Sequence, residues 1–300
     1  MNASAPSAVK RDAGLSIWIA AARPRTLTAA VSPVVVGLAL GYRSCRINLP
    51  LALDTLAAAI LIQIGTNLAN DYYDFVSGAD TDARLGPPRV TQRGLIQPDA
   101  VRNAAFTTLG LAALAGSYLV RAGGWPILLI GVVSILSALA YTTGPYPLAY
   151  HGLGELFVFV FFGLAAVNGT VFLQTGKLTL LSIAVSVPIA SLVTAILVVN
   201  NLRDIDTDRK AGKRTLAVRF GSQFARAEYA VLVGAAFIAT PVLVRMGGWM
   251  LLLPLGVLPL ALHAIASIYR DTGEDLNHDL ARTAGLHSAF ALLLALALVI

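Results

Sequence analysis
Two stretches of this 300-residue chain gather side chains that bind cations and phosphates. The first runs from Gln63 to Arg93, QIGTNLANDYYDFVSGADTDARLGPPRVTQR, and in it Gln63, Asn67, Asn70, Asp71 and Asp74 follow one another at steps of 4, 3, 1 and 3. Those steps put all five on one face of a helix. Asp80 and Asp82 come just past its end, and a loop punctuated by Gly and Pro then brings Arg84, Arg89 and Arg93. The second stretch is NNLRDIDTDRKAGKRT, Asn200 to Thr215, where Asn200, Asp204 and Asp208 stand at i, i+4 and i+8 with Asn201 beside Asp204. The spacing predicts one helical face for those three and another for Asp206. Carboxylates and amide oxygens without a His or Cys partner suit a hard cation, Mg2+ above all, which commonly bridges one or two carboxylates to a substrate's phosphates. Charge points to the same ligand class. Several carboxylates and a diphosphate ester of about three negative charges share a pocket only when about two Mg2+ and some Arg or Lys join them. Asn67, Asn70, Asp71, Asp74, Asp204 and Asp208 are the expected metal ligands, and Arg84, Arg89, Lys210 and Lys213 are expected to close over the anion.

The elements that position these residues must be membrane helices. A hydrophobic content of 57% and a charged content of only 13% place the chain among polytopic membrane proteins. Spanning helices need about 20 apolar residues, and nine segments qualify: about 18–42, 50–75, 100–120, 125–142, 153–174, 178–202, 226–245, 249–269 and 281–300. With nine crossings the termini lie on opposite sides. The N-terminal side carries 17 of the 22 Lys and Arg, so the N-terminus, both acidic clusters and the active-site mouth are expected to face the cytoplasm from the inner membrane. The net charge of +6 follows from that topology, and nucleic acid is not an expected partner. Residues 1–16 read as a mobile cytoplasmic tail and 17–300 as a single membrane-embedded domain. Cys45 stands alone, which leaves no internal disulfide. An internal echo, VRAGGWPILL at 120–129 and VRMGGWMLLL at 244–253, recurs at nearly the offset that separates Asn70-Asp71 from Asn200-Asn201. It predicts a duplicated unit, helices 2–4 matching helices 6–8.

Other candidates have plainer readings beside their functional ones. Arg23 and Arg25 flank Pro24 at the start of the first span and serve as topological anchors or as contacts for an anion. Tyr141 reads as an interfacial belt residue or as a ring that stabilises a cation. Glu155 opens the fifth span, where the helix dipole favours an acid. Phe157, Phe159, Phe161 and Phe162 read as lipid-facing or packing residues.

NDYYDFVSGAD and NNLRDIDTDRKAGKRT resemble the two Asp-rich motifs of the UbiA superfamily of intramembrane prenyltransferases. RPRTL (23–27), GPPRVTQRG (86–94), YTTGPYPLAYHGLGE (141–155) and NNLRDIDTDRKAGKRTLAVRFG (200–221) are similar to the branch of that superfamily that acts on 1,4-dihydroxy-2-naphthoate. The likeness extends from Arg23 to about Gly221 and fades over the last three helices. One departure from the general first motif, NDxxDxxxD, is Gly78 at the last Asp position, with an acid two residues later at Asp80 as a further metal ligand. The resemblance implies a nine-helix bundle that joins an isoprenoid diphosphate to the naphthoate, with loss of CO2 and diphosphate and with Mg2+ as cofactor, replaceable by Mn2+. It implies donor and acceptor contacts from Asn200, Asn201, Arg23, Arg25 and Glu155 and cation stabilisation by Tyr141. A 4-hydroxybenzoate-like acceptor or phytyl transfer is the alternative activity. A transporter is the competing class, opposed by acids that cluster at one interface and by helices without Gly/Pro-broken centres. The CDP-alcohol phosphatidyltransferases are a further enzyme class, but their Asp-Gly-x-x-Ala-Arg opening is absent.

Overall fold
A chain in hydrocarbon must satisfy its own amide groups, and among the described residues this one does so with helices alone. The structure is a computed structural model that describes residues 14–80 and 84–300. In chain order the helices are α1 Leu15–Ala22, α2 Pro24–Ser44, α3 Leu49–Val76, α4 Pro98–Gly123, α5 Trp125–Ala140, α6 Gly154–Thr175, α7 Leu180–Arg203, α8 Ile205–Lys210, α9 Leu216–Phe220, α10 Ser222–Gly247, α11 Trp249–Arg270 and α12 Gly273–Val299. Eight of them, α2, α3, α4, α6, α7, α10, α11 and α12, are long and apolar enough to cross a membrane. The segment expected as a ninth crossing at 125–142 is instead α5, an apolar helix of 16 residues. Gly124, at φ 69°, starts it late and the TTGPYP loop stops it early, so it falls short of the usual span.

The first expected span is two helices. Arg23 separates them at φ 55°, the one non-glycine residue with positive φ among the described residues. Pro24 accounts for the break, because a proline disfavours helical geometry in the residue before it and is well placed as the first residue of the next helix. Helix α1 begins at Leu15, within the stretch expected as tail; residues 1–13 of that stretch lie outside the described residues.

Helix α7 is the hub. In its most apolar window 72% of residues are buried, against 22% for α4, which lies at the rim of the bundle. A Thr179/Ser182 capping box starts it, and Ser182, Ser186, Ala190, Ser191, Thr194 and Ala195 give it a surface of small side chains that neighbours approach closely. The tightest approach is at Gly163 of α6, where an added Cβ would lie 2.0 Å from Ala190 Cβ. Around Gly163, residues Phe159–Ala165 wind as a π-helix inside α6, which shifts the phase of the side chains beyond it. Helix α10 breaks at Ala239, ahead of Pro241, and α11 opens with a 3-10 stretch, Trp249–Val257, that contains Pro254. The expectation of helices unbroken at their centres is therefore corrected: irregular turns interrupt α6, α10 and α11.

Contacts at the ends fix which termini lie together. Arg43 donates to the Gly247 carbonyl at 2.6 Å, and Asn48 N donates to Gln174 Oε1 at 2.8 Å, so the C-terminal ends of α2, α6 and α10 share one face. The C-terminal ends of α3 and α7, with both acidic clusters, occupy the opposite face. The two GG turns are alike locally: a Cβ on Gly123 would meet Ile127 at 2.3 Å, and one on Gly247 would meet Leu251 at 2.5 Å.

Candidate active site
Helix α3 has 28 residues and is about 42 Å long, enough to carry its last turns out of the hydrocarbon. Its polar face opens on a cavity of about 650 Å3 whose wall runs from Thr55 to Asp74 along the helix, a rise of about 28 Å. The two ends differ in chemistry. At one end Arg23, Asn70, Asp74, Asp80, Arg84, Arg89, Asp204, Asp208 and Lys213 line it; along its length the wall is Ala59, Ile62, Leu119, Ile127, Ile135, Phe157, Phe161 and Leu173.

The charged end is a lattice of alternating signs. Asp74 is buried and accepts from Arg89 Nη2 at 2.7 Å and from Lys213 Nζ at 3.0 Å. Asp80 bridges Arg84 Nη1, at 2.6 Å, and Arg89 Nε, at 3.0 Å. Lys213 also faces Asp208 at 3.9 Å and lies 5.5 Å from the ring centroid of Tyr150. Burial lowers the affinity of Lys213 for its proton, but Asp74 and Asp208 outweigh it and the net shift is upward. Burial pushes the Asp208 carboxyl up to about 6; Lys213 pulls it down in part, and Asp204 and Asp74 push it further up. Asp208 is thus a carboxylate short of positive charge. Arg23 is the converse: burial, then Arg89 and Arg84, push its guanidinium down to about 9, so it stays charged at neutral pH and is short of negative charge.

Two of the expected metal ligands have other duties. Asp71 accepts from the backbone N–H groups of Val90 and Thr91, both at 3.2 Å, and anchors the arginine loop without lining the cavity. Asp204 lines the cavity with both oxygens held by Arg203, at 2.8 and 2.6 Å. Helix α7 ends at Arg203 and α8 begins at Ile205, so the i, i+4, i+8 register expected for one helix is broken at Asp204; Asp204 and Asp208 nevertheless face the same cavity. Asn67 donates to Ala22 O and Thr26 Oγ1, both at 2.9 Å, and accepts from Gln63, which ties α3 to the break at Arg23. Asn70 accepts from Thr142 at 3.1 Å and Asn200 from Arg203 at 2.8 Å.

Of the remaining expected residues, Tyr141 and Asn201 line the cavity. Glu155 is buried behind Asn201, accepting from its Nδ2 at 2.7 Å. Arg25 and Lys210 are exposed and are not among the residues that line the cavity. Lys213 takes the place expected of both lysines because the turn at Gly212, φ 76°, folds it back under α8. Phe157, Phe161 and Phe162 line the cavity; Phe161 and Phe162 lie within the π-helical turn and Phe157 just before it. Sequence reasoning missed Arg203 and Asn277. A buried arginine next to an acidic motif looks like one more basic loop residue until its fork is seen on Asp204.

A charged mouth over an apolar shaft is what an enzyme needs to hold a polar head and a long hydrocarbon tail at once. The chain belongs to the UbiA prenyltransferase family, whose model matches residues 30–299. It is similar to 1,4-dihydroxy-2-naphthoate octaprenyltransferase of Mycobacterium tuberculosis, 40% identical over 261 residues that cover 87% of this chain and 89% of the relative. It is also similar to the protein of that name from Bacillus subtilis, 35% identical over 295 residues, 97% and 94% of the two chains. Among solved structures, a UbiA homologue from Archaeoglobus fulgidus bound to DMAPP and Mg2+ shares the fold, with a TM-score of 0.67 at 15% identity over 94% of this chain and 98% of the other.

Proposed function
We propose that this protein transfers a polyprenyl group from an isoprenoid diphosphate to 1,4-dihydroxy-2-naphthoate, with loss of CO2 and diphosphate, as a step in menaquinone synthesis. The observation that carries the reading is a continuous cavity whose cationic and acidic end passes directly into an apolar shaft about as long as the bilayer core is thick. In it the diphosphate lies among Arg84, Arg89 and Lys213, and the tail lies along α3, α4, α5 and α6.

The donor set fits a divalent metal. Asp74, Asp80, Asp204, Asp208 and the amides of Asn70 and Asn200 offer only oxygen ligands, and Asp208 is partly buried with Lys213 no nearer than 3.9 Å. Among the described residues no three acidic or imidazole side chains already form a cage, which suits ions that arrive with the diphosphate and share its oxygens. Mg2+, as two ions and replaceable by Mn2+, would be held by these residues and would neutralise the departing diphosphate. The protein's own part is to strip water from the donor, hold its C1–O bond near Tyr141, and let Arg84, Arg89 and Lys213 stabilise the charge on the leaving oxygen as that bond breaks. The electron-rich naphthoate ring, its carboxylate presented to Arg23, then attacks the allylic cation to form the new C–C bond. The ring–carboxylate bond breaks to release CO2, and its electron pair returns to the ring to restore the quinol.

The basic residues of the loops at the charged end support a cytoplasmic mouth and N-terminus in the inner membrane. In this reading residues 17–300 act as one membrane domain, α5 counts as a ninth, short crossing, and the paired GG turns mark a duplicated unit.

Purified protein in nanodiscs should be offered a prenyl diphosphate with either dihydroxynaphthoate or 4-hydroxybenzoate, and products read by mass spectrometry with and without EDTA. A decarboxylated prenyl naphthoquinol, lost in EDTA and restored by Mg2+, is the expected result. Selective prenylation of 4-hydroxybenzoate, or full turnover in EDTA, overturns it.

A further inference from the structure
The first turn of α12 enters the site from a part of the chain outside both Asn/Asp clusters singled out above. There Asn277 spends its whole amide: Oδ1 accepts from Arg203 Nη1 at 2.9 Å, and Nδ2 donates to the carbonyls of Leu85 at 2.9 Å and Glu274 at 3.0 Å. A guanidinium only donates and a carbonyl only accepts, so the amide has one orientation that satisfies all three. Leu85 lies between Arg84 and Arg89 in the loop that engages Asp80 and Asp74. Its neighbour Gly86 packs so flat on Arg203 that a Cβ would stand 2.7 Å from Nη2. The same guanidinium forks onto Asp204 and reaches Asn200. One turn further along α12, Leu280 lines the cavity.

We propose that Asn277 is a positioning residue for the donor: it clasps the Leu85 carbonyl to the Arg203–Asp204 pair and so holds the arginine loop over the second acidic cluster. Without it, ordering that loop becomes part of the cost of binding the diphosphate. Arg23, the proposed naphthoate contact, lines the same charged end but is not a partner in the clasp's hydrogen bonds, so the acceptor should feel its loss less than the donor. The identity of the donor rests on the prenyl-transfer reading above; the clasp itself does not.

In Asn277→Ala the KM for the prenyl diphosphate is expected to rise about tenfold, with the naphthoate KM within about twofold and the melting temperature near wild type. Gly86→Ala lifts the loop off Arg203 from the other side and should give the same split. The double variant should lose little more than the worse single one, as coupled neighbours do. Asn277→Asp keeps an acceptor for Arg203 but turns an oxygen toward Leu85 O, so it should not rescue. Hydrogen exchange without substrate should be faster across residues 85–93 in Asn277→Ala. Unchanged exchange there, or a donor KM that stays fixed or rises only together with the acceptor's, overturns the clasp. A wild-type protein that shows the protection yet does not prenylate the naphthoate overturns the functional reading and leaves the clasp standing.

Discussion
Asp71 and Asp74 are three residues apart on α3 and equally buried, yet they face different partners: one holds backbone N–H groups, the other holds Arg89 and Lys213 at the cavity wall. Substitution should separate them. Asp71→Asn leaves one buried N–H facing an amide nitrogen, at a cost of about 1 to 3 kcal/mol, so it is expected to lower the melting temperature while the Mg2+ concentration for half-maximal activity stays put. Asp74→Asn and Asp208→Asn should lower turnover by on the order of 10² or more and raise the Mg2+ requirement. Asp206→Asn, whose carboxylate pairs with Arg209 on the surface, should be nearly silent; a loss equal to that of Asp208→Asn would mean that α8 is turned differently. The same contrast applies to the two arginines around Pro24. Arg23→Ala should raise the naphthoate KM by about 10- to 100-fold, the worth of a charge-assisted contact, and Arg23→Lys should recover only part because a planar fork becomes a point charge. Arg25→Ala should leave that KM alone. Equal effects would return both residues to the role of topological anchors.

At the scale of elements, the position of α6 against α7 sets the shape of the shaft. Gly163→Val should destabilise the protein by about 1 to 3 kcal/mol, seen as a lower melting temperature in detergent. Ala190→Gly should not repair it, because the Ala190 Cα and N would still lie 2.3 and 3.0 Å from the new Cβ. Which elements could be read beforehand follows from what leaves a pattern in a sequence. Runs of apolar residues betrayed eight crossings, and helical spacing of Asn and Asp betrayed both clusters, since hydropathy and period are local properties. The π-helical turn at Phe159–Ala165 has no periodic signature, so the sequence leaves Phe157, Phe159, Phe161 and Phe162 as lipid-facing or packing residues and does not show that three of them line the cavity. The break at Arg23 was half visible: Pro24 marks a helix start, but an apolar stretch on both sides hid it. Asn277 could not be found at all, because an Asn in the first turn of a helix looks like any solvated end until α12 is folded against α7.

For the whole molecule, the clustering of charged loops on one face is the feature with the widest reach. With Cys45→Ser as background, a cysteine at exposed Lys210 is expected to react with an impermeant thiol reagent only from the cytoplasmic side, and one at exposed Arg46 only from the opposite side. Reversed labelling would invert the orientation and move the active-site mouth with it. The other face of the same architecture is the side of the shaft, where Leu128 and Val132 of α5 line the cavity and are themselves about half exposed, at 50% and 46%. On the prenyl-transfer reading proposed above, such an opening would let donor and product tails pass between cavity and bilayer without crossing water, and the enzyme would sense the mole fraction of substrate in the surrounding lipid rather than its bulk concentration. Adding inert detergent or lipid at constant substrate then slows the reaction by dilution in two dimensions, and a larger membrane area acts on this protein as a competitive inhibitor with no binding site.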